Sequence, residues 1–502
     1  MENNIIKKAV NAAKWTTITE ILAKLIAPIT NMILARILAP EAFGVLATVT
    51  MIIAFADMFK DAGFQKYLIQ HDFHNEEEKY KNANVAFWTN LMISTFLCFM
   101  IILFRKPVAS LAGSPELETV IGFSGLVLLA TAFSGIQLAL YKRDMNFKTL
   151  FMVRMITICV PFVITIPLAF LGFGFWSLIA GEFLTQIVNA VILTAASKWR
   201  PAFYYSFKIL KEMFSFSMWT LLETISIWFS FYMDIFIIGK LFSNYHLGLY
   251  KTSITMVHSI MNLIVSSTIP VFFSAMSRLK NDERQFMKVF FKTQRLVSIL
   301  VFPLGMGIYL QSELATEILL GKDWSNASSI VGIFALANSL LTVIGYYCSE
   351  VYRALGRPRL SLLVQLLNLA ILIPVCLISS SYGFWVFIYT RAGAVLWFVM
   401  VHFIIMKTSV GVPFSKILKN ILPTLTSALG MGFFGFLLQN ISSGYLWNFV
   451  SILLCALFYL LMLNLFPLMR LELEGIYLTV KYKLLCIYMK KNVYKESNET
   501  LR

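Results

Sequence analysis

The 502-residue chain is 58% hydrophobic and only 14% charged, with a formal net charge of +16. A soluble domain carries about a quarter charged residues, and the basic residues here sit in short gaps between long apolar runs. These features exclude a water-soluble enzyme and a nucleic-acid-binding protein, because no soluble fold remains to present a basic face; they point to an all-α polytopic membrane protein.

The apolar runs predict about fourteen transmembrane helices, at 15–37, 43–63, 84–104, 117–140, 151–171, 173–196, 215–239, 251–275, 288–311, 327–350, 360–380, 382–406, 418–439 and 444–467, each near the length a bilayer needs. The opening stretch MENNIIKKAVNAAKW lacks a small-residue cleavage site, so the first span is expected to be retained. Spans five and six nearly touch at Gly172 and Gly174, and spans eleven and twelve at Tyr382 and Gly383, as tight hairpins would. No loop is long enough to fold into a domain of its own. The tail 469–502 is basic with apolar interleaving, suited either to lying on a membrane surface or to being solvated.

Orientation follows from Lys and Arg. With the N-terminus inside, cytoplasmic segments hold about 34 of the 42, whereas the outer loops hold only Arg36, Arg105, Lys106, Lys240, Lys251 and Lys322. An even span count with both termini in the cytoplasm is expected. The six cysteines are scattered, five of them in apolar runs, and suggest packing rather than a metal site or disulfide frame.

Three echoes recur at offsets of about 204 to 211 residues, or six spans. ARILAPEAFGV and IGKLFSNYHLGL each place a basic residue, Arg36 or Lys240, eight positions before a glycine, Gly44 or Gly248. Gly174-Phe175-Trp176 matches Gly383-Phe384-Trp385, and Tyr141-Lys142 matches Tyr352-Arg353. Copies of an even number of spans share one orientation and are related by an axis along the membrane normal. The expected organisation is a six-helix lobe at 1–200, a second at 201–410, two further helices at 411–468 and a cytoplasmic tail at 469–502.

LARILAPEAFGVLA, FADMFKDAGFQKYLIQ, MDIFIIGKLFSNYHLGLY, IPVFFSAMSRLKND, FPLGMGIY, LLGKDWSNASSIVGIFAL and YRALGRPRLSLL occur in order along the chain. Together they resemble the polysaccharide flippases of the multidrug/oligosaccharidyl-lipid/polysaccharide exporter superfamily. The resemblance implies two six-helix lobes around a cavity opening to either side. It implies translocation of a polyprenyl-diphosphate-linked oligosaccharide repeat unit across the bacterial cytoplasmic membrane. The implied partners are that glycolipid, membrane lipids, and polysaccharide polymerase and chain-length machinery, with no nucleic acid. An exporter of drugs or small solutes from the same superfamily is the nearest alternative. A major-facilitator transporter is disfavoured, since residues 60–83 lack its glycine–acid–arginine loop. A membrane-embedded acyltransferase or polymerase would need convergent catalytic groups that the five scattered histidines do not supply.

Ionisable groups inside spans are costly and face a cavity or one another. Lys24 either meets the diphosphate or pairs with Glu20, four residues earlier. Arg391, inside span twelve with no acid nearby in sequence, is the second phosphate candidate. Arg154 and Arg295 lie near cytoplasmic span ends, where they could touch substrate or snorkel. Arg36 is expected to fix the turn after span one, and Asp234 to be structural. Among acids, Asp57, Glu182 and Glu223 are candidates for cavity acids or for binding a coupling proton or sodium ion; no other cofactor is implied. Hydroxyl and amide stripes at Thr220, Glu223, Ser226 and Ser230, and at Thr255, Ser259, Asn262 and Ser266, suit either a wet face or helix–helix hydrogen bonding.

Overall fold

In the computed structural model the chain is described over residues 15, 19, 22–24, 26–61, 63–442 and 444–475, with side chains described there except at 61, 215–223 and 358. Every regular element among the described residues is a helix. Thirteen helices are long and apolar enough to cross a membrane: Pro40–Lys60, Glu76–Leu103, Pro115–Arg143, Phe147–Phe170, Phe175–Ala196, Thr224–Leu241, Asn244–Arg278, Glu283–Leu310, Lys322–Ala354, Arg359–Ser380, Phe384–Val410, Phe414–Gln439 and Tyr445–Asn464. They correspond to expected spans two to fourteen and keep those ordinals here. The expected first span lies partly outside the described residues; its stretch 26–37 is helical. The chain is a multi-pass membrane protein.

Local chemistry sets the boundaries. Span three starts where the Asn75 side chain accepts the Glu78 backbone N–H at 2.7 Å, and Glu76, Glu77 and Glu78 place negative charge on its amino end. The hairpin between spans five and six turns through Gly172 and Gly174, at φ 85° and 55°, and that between spans eleven and twelve through Gly383 at φ 103°. These are left-handed conformations that glycine adopts without steric penalty. Pro161 opens a π-helical turn over Pro161–Thr165 inside span five, which accommodates its missing donor within the helix.

The chain gathers into two compact units. The first comprises Met1–Leu263, Ala315–Phe334 and Pro358–Val401; the second comprises Ile264–Leu314, Ala335–Arg357 and His402–Arg502. In the second unit, a polar ladder joins spans nine and thirteen. Asn420 Nδ2 donates to Gln294 Oε1 at 3.0 Å, and Thr424 Oγ1 to Ser298 Oγ at 2.9 Å. In hydrocarbon such pairs satisfy groups that lipid cannot.

In the first unit, the two echoes of the repeated signature meet. A Cβ added at Gly44 would overlap the Asn244 carbonyl, and one added at Gly248 would overlap the Pro40 carbonyl. Each glycine stands four residues after the residue its counterpart strikes. A second reciprocal pair lies beside it: Gly113 packs on the Gly239–Lys240 backbone, and Gly321 against Arg36. Equivalent positions of the two echoes thus touch one another reciprocally. Arg36 Nη2 donates to the Ile318 carbonyl at 2.7 Å and Trp324 Nε1 to the Ala35 carbonyl at 2.7 Å, so Arg36 ties the end of span one to the distant 318–321 segment rather than closing the turn that follows its own span.

Candidate functional site

Within the first unit, spans two, seven and eight enclose a crevice of about 360 Å³. Span two contributes Ala54, Asp57 and Met58, and the following turn Gly63. Span seven contributes Thr224, Ile227, Trp228, Phe231 and Tyr232, and span eight contributes Lys251. Both sets on spans two and seven follow the i, i+3, i+4 spacing of one helix face. The crevice is therefore a meeting of helix faces, not a loop feature.

Its charges differ in how they are held. Lys60 is only 3% exposed and binds the Asp57 carboxylate one turn back. Lys60 Nζ also donates to Thr131 Oγ1 at 2.7 Å, and Thr131 Oγ1 donates to Asp57 Oδ1 at 3.4 Å. Asp57 itself is 47% exposed, so a neutralised carboxylate still offers acceptor oxygens to the crevice. Lys251 makes no hydrogen bond or ion pair among the described residues. Its ammonium stands 5.7 Å from the centre of the Tyr232 ring, within cation–π range. The charge of Asp234 acts on it although no ion pair joins the two, and an ionisable group at such a depth is a candidate functional group.

One layer away, Arg391 and Asp234 form a buried pair. Arg391 Nε donates to Asp234 Oδ2 at 3.2 Å, with the side chains 19% and 8% exposed. The Tyr250 hydroxyl donates to the same oxygen, and the Ile235 backbone N–H to Asp234 Oδ1 at 2.8 Å. The aspartate thus accepts three donors. Arg391, which has no acid near it in sequence, contacts one that lies 157 residues earlier in the chain. His258 has Arg391, Lys251 and Asp234 as its charged neighbours.

The other sequence candidates are spread out. Lys24 is half-buried on the helical part of span one; Glu20 lies outside the described residues. Trp15 of that span packs on Phe151 of span five, ring centres 4.9 Å apart, one turn before the exposed Arg154. Glu182 is exposed on span six and accepts from Gln186 Nε2 at 2.7 Å. The side chain of Glu223 lies outside the described residues, as does that of Thr220. In the second unit, Arg295 is held by Glu472 at 2.9 Å and by the side-chain Oδ1 of Asn420 at 2.9 Å. Ser230 of the expected wet stripe is engaged by Gln365 of span eleven, a helix–helix bond.

The sequence count assigned Lys251 to an outer loop. The structure corrects this: its helix begins at Asn244, seven residues earlier, and carries it into the crevice. One signal could have found it. Lys251 extends the Thr255–Ser259–Asn262 stripe back by one turn. Trp228 and Tyr232 were hidden among ordinary interfacial aromatics.

Known proteins give the fold and the lineage. The succinoglycan biosynthesis transport protein ExoT of Rhizobium meliloti (strain 1021) is 26% identical over 314 residues, which is 62% of this chain and 63% of that protein, just under two thirds of its length. The lipopolysaccharide biosynthesis protein WzxC of Escherichia coli (strain K12) is 21% identical over 450 residues, 85% of this chain and 88% of that one. The teichuronic acid biosynthesis protein TuaB of Bacillus subtilis (strain 168) is 22% identical over 360 residues, 71% and 74%. Among solved structures, the lipid II flippase MurJ in an inward closed conformation superimposes with TM-score 0.70 at 15% identity, covering 89% of this chain and 98% of that one. An inward-facing multidrug resistance transporter of the MATE family, in the MOP superfamily, does so with TM-score 0.60 at 11% identity, covering 81% and 99%. The family model described as polysaccharide biosynthesis protein matches residues 33–329, more than half the chain, and the chain belongs to that family.

Proposed function

We propose that this protein is a flippase, moving polyprenyl-diphosphate-linked oligosaccharide repeat units across the bacterial cytoplasmic membrane for assembly of a surface polysaccharide such as a capsule, O-antigen or exopolysaccharide. The observation that carries the reading is Lys251, an unpaired ammonium in a crevice that also offers a held carboxylate and an aromatic wall. A diphosphate bearing sugars cannot enter hydrocarbon, because its polar groups would lose water without replacement. A cationic, wet crevice replaces that water, while the polyprenyl chain stays in lipid. The names of the relatives, a transport protein for succinoglycan among them, support the same class of cargo, and a transporter rather than an enzyme.

Lys251 stands first among the anion ligands. Lys24 and Arg154 lie along neighbouring spans one and five, consistent with a cationic approach from the cytoplasm. Arg391 and Arg295 contribute only if substrate displaces Asp234 or Glu472. Asp57 and Glu182 are the exposed acids suited to a coupling proton or sodium ion. The repeat supports two six-helix lobes that rock about a shared axis. On the Lys and Arg count both termini lie in the cytoplasm, which would put the glycine crossing at Gly44 and Gly248 toward the outer face. Export of cationic drugs fits less well, since Lys251 would repel them.

The test is deletion in the native host followed by analysis of lipid-linked saccharides by leaflet. Intact repeat units stranded on the cytoplasmic leaflet are expected. Loss of their synthesis, or unchanged trafficking, overturns the reading.

A further inference from the structure

The crevice holds more than charge. Trp228 and Tyr232, one turn apart on span seven, stack with ring centres 5.6 Å apart and planes at 27°. Phe55 of span two closes on the indole edge to face at 4.9 Å. The indole is held in place, because Trp228 Nε1 donates to the Met51 carbonyl at 3.3 Å. Phe231 also lines the cavity. Two polar groups rim this wall with capacity to spare. The Tyr232 hydroxyl has no hydrogen-bond partner among the described residues, and the Asp57 carboxylate, neutralised by Lys60, is half open to the crevice.

An apolar, ordered face with acceptors and a donor at its edge is the complement of a pyranose ring. The C–H face of the sugar packs on an aromatic plane, and its equatorial hydroxyls point outward to polar groups. The Asp57 carboxylate holds Lys60 and, being half exposed, keeps acceptor capacity toward this wall. The volume, about 360 Å³, lies at the low end of small-ligand sites. It suits one or two sugar rings, not a long repeat unit. The Lys251 ammonium stands 5.7 Å from the Tyr232 ring centre, so an anion on it brings the attached sugar near the rings.

We propose that Trp228 and Tyr232 form a platform for the first sugar ring or rings of a lipid-diphosphate saccharide, with Asp57 and the Tyr232 hydroxyl reading its hydroxyl groups. This rests on the flippase reading and adds to it a subsite separate from the anion ligand. The platform gives sugar-bearing lipid an advantage over sugar-free lipid diphosphate, which Lys251 alone cannot.

The experiment measures binding to the purified full-length protein in lipid nanodiscs by calorimetry. The probes are geranyl diphosphate, which has no sugar, and geranyl diphosphate carrying a single glucose or N-acetylglucosamine. In the unaltered protein a sugar-bearing probe is expected to bind about tenfold more tightly than the sugar-free one, equivalent to about 1.4 kcal/mol. Trp228→Leu should erase that ratio while leaving the sugar-free affinity in place, and Trp228→Phe should keep most of it. Tyr232→Leu reads the same ratio should the tryptophan variant fail to insert. Lys251→Ala should weaken both probes alike. A ratio unchanged in Trp228→Leu and Tyr232→Leu, or a fall in both affinities together, overturns the platform. Equal affinity for both probes in the unaltered protein overturns it while leaving the flippase reading standing. Failure of both probes to bind the unaltered protein removes that reading itself.

Discussion

Spans two and eight meet twice in different ways. At their starts, Pro40–Gly44 crosses Asn244–Gly248 so closely that neither glycine has room for a methyl group. Three to four turns further along span two, where Asp57 stands, the same first unit opens into a crevice shared with Lys251 of span eight. The closed end is built from atoms every residue has, with glycine chosen for what it lacks. The open end is built from atoms few membrane residues have, an unpaired ammonium and a reachable carboxylate. A part that must seal needs shape alone, whereas a part that must receive a polar ligand carries chemistry that is costly when empty.

The closed end should be the less forgiving. Gly44→Val or Gly248→Val drives a branched side chain into a facing main-chain carbonyl, and backbone cannot yield as a flexible side chain does. Complete loss of surface polysaccharide is expected from either change. Gly393→Ala, where nothing lies within 4 Å, should behave as the unaltered protein. Polymer is measured alongside membrane abundance. Normal export by Gly44→Val would show that the crossing opens freely and dissolve the contrast.

At the open end, Lys251→Ala removes a charge that takes part in no hydrogen bond or ion pair among the described residues. Transport should fall by about tenfold or more at normal abundance, since a hydrogen bond to a charged group contributes about 1.5–3 kcal/mol. Lys251→Arg should keep most of the activity. Leaflet-resolved analysis of the glycolipid checks both, and undiminished flipping in the alanine variant removes Lys251 from the site.

Between the two lies the Arg391–Asp234 pair, where a cation is present but held. Arg391→Ala alone strands a buried aspartate, at a cost of about 3–5 kcal/mol, and should lower abundance. Removing both charges, as Asp234→Asn with Arg391→Gln, should restore it. If transport returns with abundance, Arg391 serves only its own acid. If abundance returns without transport, the arginine also meets cargo. Adding Lys24→Ala to the restored background then reads Lys24 without the folding defect.

The sequence made the closed end easier to see than the open one. Lipid demands about twenty apolar residues per helix and punctuates hairpins with glycine, so the spans and the turns at Gly172 and Gly383 stood out. The Arg36–Gly44 and Lys240–Gly248 spacing also survived as a pattern, because a shared backbone crossing tolerates little change in either copy. Lys251 was misplaced for a physical reason: its own charge depresses local hydropathy and moves the apparent helix start past it. Arg391 showed as an anomaly, but its partner, 157 residues earlier, is a tertiary fact that no local window contains. Trp228 and Tyr232 carry no mark in a chain so rich in aromatics until three helices place them against a carboxylate.

Arg36 gives the finest test of what holds the closed end. Its guanidinium reaches the Ile318 carbonyl at 2.7 Å, and its stem lies where a side chain on Gly321 would pack. Arg36→Ala deletes one exposed hydrogen bond, worth about 0.5–1.5 kcal/mol net, and a little packing, while the glycine crossing stays intact. The expected result is a fall of a few degrees at most in the thermal midpoint of the purified protein, with export retained. Arg36→Lys should fall between the two, since it keeps the stem but not the planar donor. A loss of export as large as that of Gly44→Val would mean that the side-chain bond, rather than the backbone fit, keeps this end shut, and the repeated glycines would then need another explanation.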